Sequence, residues 1–177
     1  VKFLLDHNLS PNLARALGLL VDSHGDFVTC LKDLGWEAEN DEDWIPKLAA
    51  ESEWVIITCD LNIVRNPYRQ LVFRRSGLTA FFLLEAWSNG SVRGTEIAMK
   101  LLKLWPEISR LAAQSKPGTC FAVPYKGAIY RFTPQGNAPF SSPLYSPSTH
   151  SPAPSLRLLI SSWATQAPRA PRRRLGL

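Results

Sequence analysis

The sequence predicts an α/β domain built on a mainly parallel sheet. Three observations carry this. Apolar, β-branched runs at residues 2–6, 26–31, 54–60 and 78–85 alternate with helical patterns, as in a doubly wound sheet. The runs KFLLD and WVIITCD are apolar almost throughout, as strands covered on both faces are, and each stops on an aspartate. At 177 residues, 45% of them hydrophobic, the chain is long enough for one such domain with a tail.

Each element has its own signal. KFLLD (2–6) reads as a short buried strand. SPNLARALGLL then starts a helix, with Ser10 as N-cap and Pro11 at the first helical position. Leu13, Ala14, Leu17 and Leu20 fall at helical spacing. DFVTCL (26–31) is a second strand. DEDWIPKLAAES (41–52) is a helix with Ile45, Leu48 and Ala49 on one stripe, and WVIITCD (54–60) is the third strand. NPYRQLVFRRSG (66–77) is a helix ended by Gly77, and LTAFFLLE (78–85) is the fourth strand. GTEIAMKLLKLWPEISRLAAQS (94–115) is a long helix that Pro106 kinks or restarts. GTCFAVPYKGAIYRFTP (118–134) reads as a closing hairpin around Lys126-Gly127.

Charge divides the chain. No acidic residue follows Glu107, and residues 1–133 hold fifteen acidic and fifteen basic side chains. The net +5 therefore sits in residues 134–177, on Arg157, Arg169, Arg172, Arg173 and Arg174. That segment is rich in Pro and Ser and is expected to be disordered, because such a composition buries too little apolar surface to offset its ordering entropy. Its basic end is read as solvated, with nucleic-acid contact as the alternative. No uninterrupted apolar run is long enough to span a membrane. The four-residue apolar stretch after Lys2 is too short for a signal peptide. Cys30, Cys59 and Cys120 lack metal-ligand spacing and fit reduced core thiols in a cytoplasmic protein.

A strand that ends on a carboxylate needs a reason, because a buried charge is costly unless something pairs with it. In an open parallel sheet, ligands bind outside the carboxyl ends of the strands. Asp6 and Asp60 both occupy such ends. Two carboxylates in one crevice repel, and Mg²⁺ or Mn²⁺, which prefer oxygen ligands, removes that penalty. A third acid is expected from NDEDW (40–44), where helix capping is the competing explanation. Asp41 shares a helical face with Ile45 and Leu48 and leads. Pro46 favours a helix start nearer Asp43, which leaves Asp43 in reserve.

KFLLDHNLSPNLARAL, DLGW…DEDWIPKLAAESEWVIITCD and IVRNPYRQLVFRRSGLTAFFL together resemble the PIN-like domains, in particular the small branch related to VapC-type toxins. The likeness runs through KLWPEISRLAAQSKPGTCFAVP, over about residues 1–125. It implies a three-layer α/β/α sandwich over residues 1–133, followed by the tail at 134–177. It implies a Mg²⁺- or Mn²⁺-dependent endoribonuclease, a toxin held in check by an antitoxin protein, with RNA as substrate. It leaves a homodimer open. Asp6, Asp41 and Asp60 map onto the family's catalytic, metal-binding acids. Asn8 and Arg65 are the candidate substrate-binding residues, Asn8 by its place in the resembling stretch and Arg65 by its nearness to the strand end.

The departures are specific. PIN enzymes usually carry a fourth acid shortly after the third, where this chain has the neutral Asn62 and Asn66. Arg69 stands where some relatives are expected to have Glu. Strand alternation would point His7 away from Asp6, so His7 reads as a structural or surface residue. Arg74 and Arg75 read as a solvated helix face. Trp44, Trp54 and Trp105 sit in apolar patterns and read as core, which leaves Trp36 and Trp87 as the candidates for base stacking. Two further readings compete with the nuclease. One is a catalytically impaired PIN-like module that binds RNA or a protein. The other is a strand-end-Asp phosphotransfer domain, which would want Asp-x-Asp where this chain has Asp6-His7-Asn8.

Overall fold

The computed structural model describes residues 1–51, 53–84, 87 and 94–134, except for the side chain of His24. The elements follow the expected alternation: β1 (Lys2–Leu5), α1 (Pro11–Val21), β2 (Phe27–Cys30), α2 (Asp41–Ala50), β3 (Trp54–Thr58), α3 (Asn62–Arg65), α4 (Pro67–Ser76), β4 (Thr79–Leu83), α5 (Gly94–Gln114), β5 (Cys120–Val123) and β6 (Tyr130–Phe132). The strands form a single sheet in the order β2-β1-β3-β4-β5-β6. Its first five strands are parallel, and β6 closes it antiparallel to β5. The expected tail at 134–177 lies almost wholly outside the described residues.

The apolar strands bury both faces by simple alternation. Phe3, Leu5, Val55, Ile57, Phe81, Leu83, Phe121 and Val123 point to one side, where they pack with Leu13, Ala14 and Leu17 of α1 and with Leu101, Trp105 and Ile108 of α5. Leu4, Ile56, Ala80 and Phe82 point to the other, against Trp44, Ile45 and Leu48 of α2 and Phe73 of α4. Period-two strands between two helical layers make the three-layer α/β/α sandwich. Gly18 lets α1 lie close on β2, since a Cβ there would stand 3.2 Å from the Val28 carbonyl oxygen. Gly77 ends α4 in the left-handed conformation, at φ 68°.

Four details differ from the sequence reading. Leu20 is exposed, and Val21 takes its place on the buried stripe of α1, because the fourth residue after Leu17 turns further under the sheet than the third. Ser10 makes no side-chain cap, and its carbonyl accepts the first helical bonds instead. Pro46 does not shift the start of α2. The helix begins at Asp41, and the Asn40 carbonyl accepts from the N–H groups of Asp43 and Trp44. Pro106 does not restart its helix, which runs from Gly94 to Gln114 with the proline inside it. A proline removes only its own bond to the preceding turn, and packing on the sheet holds the rest of each helix.

Candidate active site

The order β2-β1-β3 places the reversal of chain direction across the sheet between β1 and β3, where the carboxyl ends of two parallel strands leave a crevice. Asp6 follows β1 directly, and its N–H still bonds to the Ile57 carbonyl at 3.1 Å, so the ladder carries it to the rim of the sheet. Its carboxylate is buried. Oδ1 accepts the His7 N–H at 2.6 Å, and Oδ2 accepts the Thr58 hydroxyl at 2.6 Å. The same Thr58 Oγ1 accepts the Asp60 N–H at 2.8 Å. One hydroxyl thus links the two strand-end acids, donating to the first and receiving from the backbone of the second. Thr58 itself is fully buried, so the linkage is shielded from water.

Asp60 turns the chain into α3: its Oδ1 accepts the Asn62 N–H at 2.7 Å. That bond forms an Asx turn ahead of α3, whose N-cap is Leu61, and it uses only one of the two oxygens. Asp41 comes from the opposite wall. As the first residue of α2 it shares the buried stripe with Ile45 and Leu48, whereas Asp43 is exposed. Its Oδ1 accepts the Trp44 indole N–H at 3.2 Å. Burial, then the neighbouring Asp6 charge, raise the Asp41 carboxyl above its usual range, and Asp60 adds to this, while Arg69 and the Trp44 bond act against it. Asp6, Asp41 and Asp60 line one open pocket of about 290 Å³ together with His7, Asn8 and Glu39.

Several residues stand where the sequence reading did not put them. His7 faces Asp6, with Nδ1 3.2 Å from Asp6 Oδ1 and Nε2 2.9 Å from the Glu37 carbonyl oxygen. The alternation argument fails because the strand ends at Leu5, so Asp6 and His7 lie in a turn. Arg69 also lines the pocket, with Nη1 3.0 Å from Asp41 Oδ2 and 3.8 Å from Asp60 Oδ2. Arg65, on α3, is exposed and is not among the residues that line it. Of the two neutral candidates for the fourth acid, Asn66 caps α4 through the N–H groups of Tyr68 and Arg69, at 2.9 and 3.2 Å. A carboxylate enters instead from Glu39, ahead of α2. Trp87 is buried and donates to the Val123 carbonyl at 2.9 Å, so it is no stacking platform. Trp44, Trp54 and Trp105 are core, as expected, and Trp36 is half-buried.

Residues 1–85 match the family model of the PIN-like domain. That match and the α/β/α fold together support a PIN-like domain. The match spans β1 to β4 and so includes every acid of the pocket. No curated protein and no solved structure matches the chain. PIN-like domains are often nucleases and generally use divalent metals, which gives the acidic pocket a nuclease-type function in broad terms. The residues fit such an ion. Asp6, His7 and Asp41 offer ligand atoms that lie within 4.8 Å of one another; Asp60 lies outside that group, although it lines the same pocket. Glu39 Oε2 is buried and lacks a hydrogen-bond partner among the described residues, while Glu39 Oε1 holds Lys47 at 2.5 Å. A carboxylate set with an orphaned oxygen is a hard-cation environment.

Proposed function

We propose that this PIN-like domain is a Mg²⁺- or Mn²⁺-dependent endoribonuclease that hydrolyses phosphodiester bonds of RNA. The convergence of Asp6, Asp41 and Asp60 on one open pocket at the switch point of the sheet carries the reading. Asp6 and Asp41, which meet the ligand distances together with His7, would hold the ion with Asp60 on the same pocket wall; on binding it supplies charge stabilisation at the phosphodiester and acidifies a bound water. The chain's own groups do the rest. Thr58 fixes the Asp6 carboxylate, and its acceptor bond from the Asp60 N–H sets the distance between the two strand ends. His7, held between Asp6 and the Glu37 carbonyl on the rim, is oriented to hold or pass a proton there. Asn8 lies on the same rim, placed to meet the substrate backbone.

The finer assignment, a toxin checked by an antitoxin protein in the cytoplasm, rests on the resemblance to the VapC-related branch and on the free thiols. No helix among the described residues is long and apolar enough to cross a membrane. One observation favours the runner-up, an impaired module that binds RNA or protein: Arg69 already lies against two of the three acids. Incubation of the purified protein with structured and unstructured RNA, with Mg²⁺ or Mn²⁺ and with EDTA, separates them. Cleavage that EDTA stops and added metal restores supports the nuclease. RNA binding without cleavage under every condition supports the impaired module.

A further inference from the structure

We propose that Arg69 is the internal counter-ion of the acid pocket, holding the cation position on Asp41 and Asp60 in the metal-free protein, so that a divalent cation binds there only by displacing the guanidinium. The inference rests on the metal-site reading above and adds to it a residue that sets metal affinity.

Three contacts define the arrangement. Arg69 Nη1 is 3.0 Å from Asp41 Oδ2 and 3.8 Å from Asp60 Oδ2, and Nε is 3.4 Å from Glu42 Oε1. One guanidinium therefore faces three carboxylates, two of them pocket acids. A guanidinium stays protonated at every physiological pH, so the positive charge cannot be titrated away and leaves only if the side chain moves. The side chain is 32% exposed, which leaves it room to move. Glu42 lies outside the pocket lining and gives Arg69 a partner to keep when the other two are taken.

Helix physics supplies an independent argument. Asn66 is the N-cap of α4 and Pro67 its first residue, so Arg69 is the third helical position. That position favours Glu or Gln, which closes a capping box, and the positive end of the helix dipole disfavours a cation. The first turn of α4 has no acidic residue. A cation at this position is against local preference and is offset by the acids across the pocket. Asp6, Asp41 and Asp60 remain in excess of the single Arg69 charge, so the pocket still attracts a divalent ion, but that ion competes with a tethered one.

Mn²⁺ titration by calorimetry on the full chain, without RNA, tests this, together with melting curves with and without Mn²⁺. Arg69→Gln is expected to bind Mn²⁺ roughly tenfold tighter or better, as removal of a like charge within about 4 Å implies. Its metal-free melting temperature is expected to fall, and its Mn²⁺-induced rise to exceed that of the wild type. Arg69→Lys, which keeps the charge and loses the planar fork, is expected to fall between the two. Equal or weaker Mn²⁺ binding by folded Arg69→Gln overturns the proposal, as does a pocket that takes up no Mn²⁺ in either protein. The nuclease reading fails separately. An Arg69-sensitive Mn²⁺ site in a protein that never cleaves RNA keeps the counter-ion and removes the ribonuclease, whereas cleavage with Mn²⁺ affinity indifferent to Arg69 does the reverse.

Discussion

At Asp60, one residue carries two jobs that a single substitution can separate. Oδ1 accepts the Asn62 N–H in the turn before α3, and Oδ2 faces the pocket and the long Arg69 contact. Asp60→Asn keeps an oxygen for the turn and removes the charge. Its metal-free melting temperature should match or exceed that of the wild type, because repulsion among the acids is relieved. Its RNA cleavage should be lost and its Mg²⁺-induced stabilisation reduced. A metal-free variant clearly less stable than the wild type, with the Mg²⁺ response intact, would make Asp60 a structural turn residue and nothing more. The thiols behave differently. Burial pushes both Cys59 and Cys120 up to about 12, with the Asp6 charge adding to the effect at Cys59. The thiolate is the reactive form, so iodoacetamide at pH 8 should label neither until the protein is unfolded. Rapid labelling of the folded protein at Cys59 would show that its shielding beside the pocket is not maintained in solution.

Among the elements, the strands are legible because two covered faces leave an unbroken apolar run, and Asp6 and Asp60 are legible because two of those runs stop on them. Asp41 could be picked from NDEDW since the stripe through Ile45 and Leu48 is a periodicity argument. What could not be read depends on where an element ends. His7 is not legible because strand alternation stops at Leu5. Arg69 looked like one of several basic residues, since nothing local says that α4 leans its first turn over α2. Glu39 precedes its helix in a loop, where spacing carries no information. Trp87 sits at a loop-like position, and long-range contacts bury it: its ring packs edge-on against Tyr125 and its indole N–H donates to the Val123 carbonyl. A similar tertiary bond joins α5 to the chain before β2: the buried Trp105 indole N–H donates to Asp26 Oδ2 at 2.9 Å. Trp105→Phe leaves that buried oxygen without its donor and should cost about 1–3 kcal/mol in urea unfolding. An unchanged unfolding midpoint would mean that water replaces the indole.

For the molecule as a whole, the sheet brings together acids that are distant in sequence, and the parallel order makes this cheap. β1 and β3 are neighbours although some fifty residues separate them, so their two terminal acids share a crevice without any special loop. The stability of this arrangement should reside in residues 1–134. The Pro- and Ser-rich composition of residues 136–177 predicts that deleting them leaves the melting temperature nearly unchanged, and a large drop would place part of the core there. The central claim is that the pocket is a metal-dependent ribonuclease site. Its most direct test is single-turnover cleavage of RNA in Mg²⁺ by the wild type and by Asp6→Asn, whose amide is isosteric, removes the charge, and keeps one of the two acceptor oxygens that receive the His7 N–H and the Thr58 hydroxyl. The account predicts cleavage by the wild type and at least a roughly hundredfold loss in an Asp6→Asn protein whose circular dichroism and melting curve show it folded. Equal cleavage by the two proteins, or none by the wild type, would contradict it.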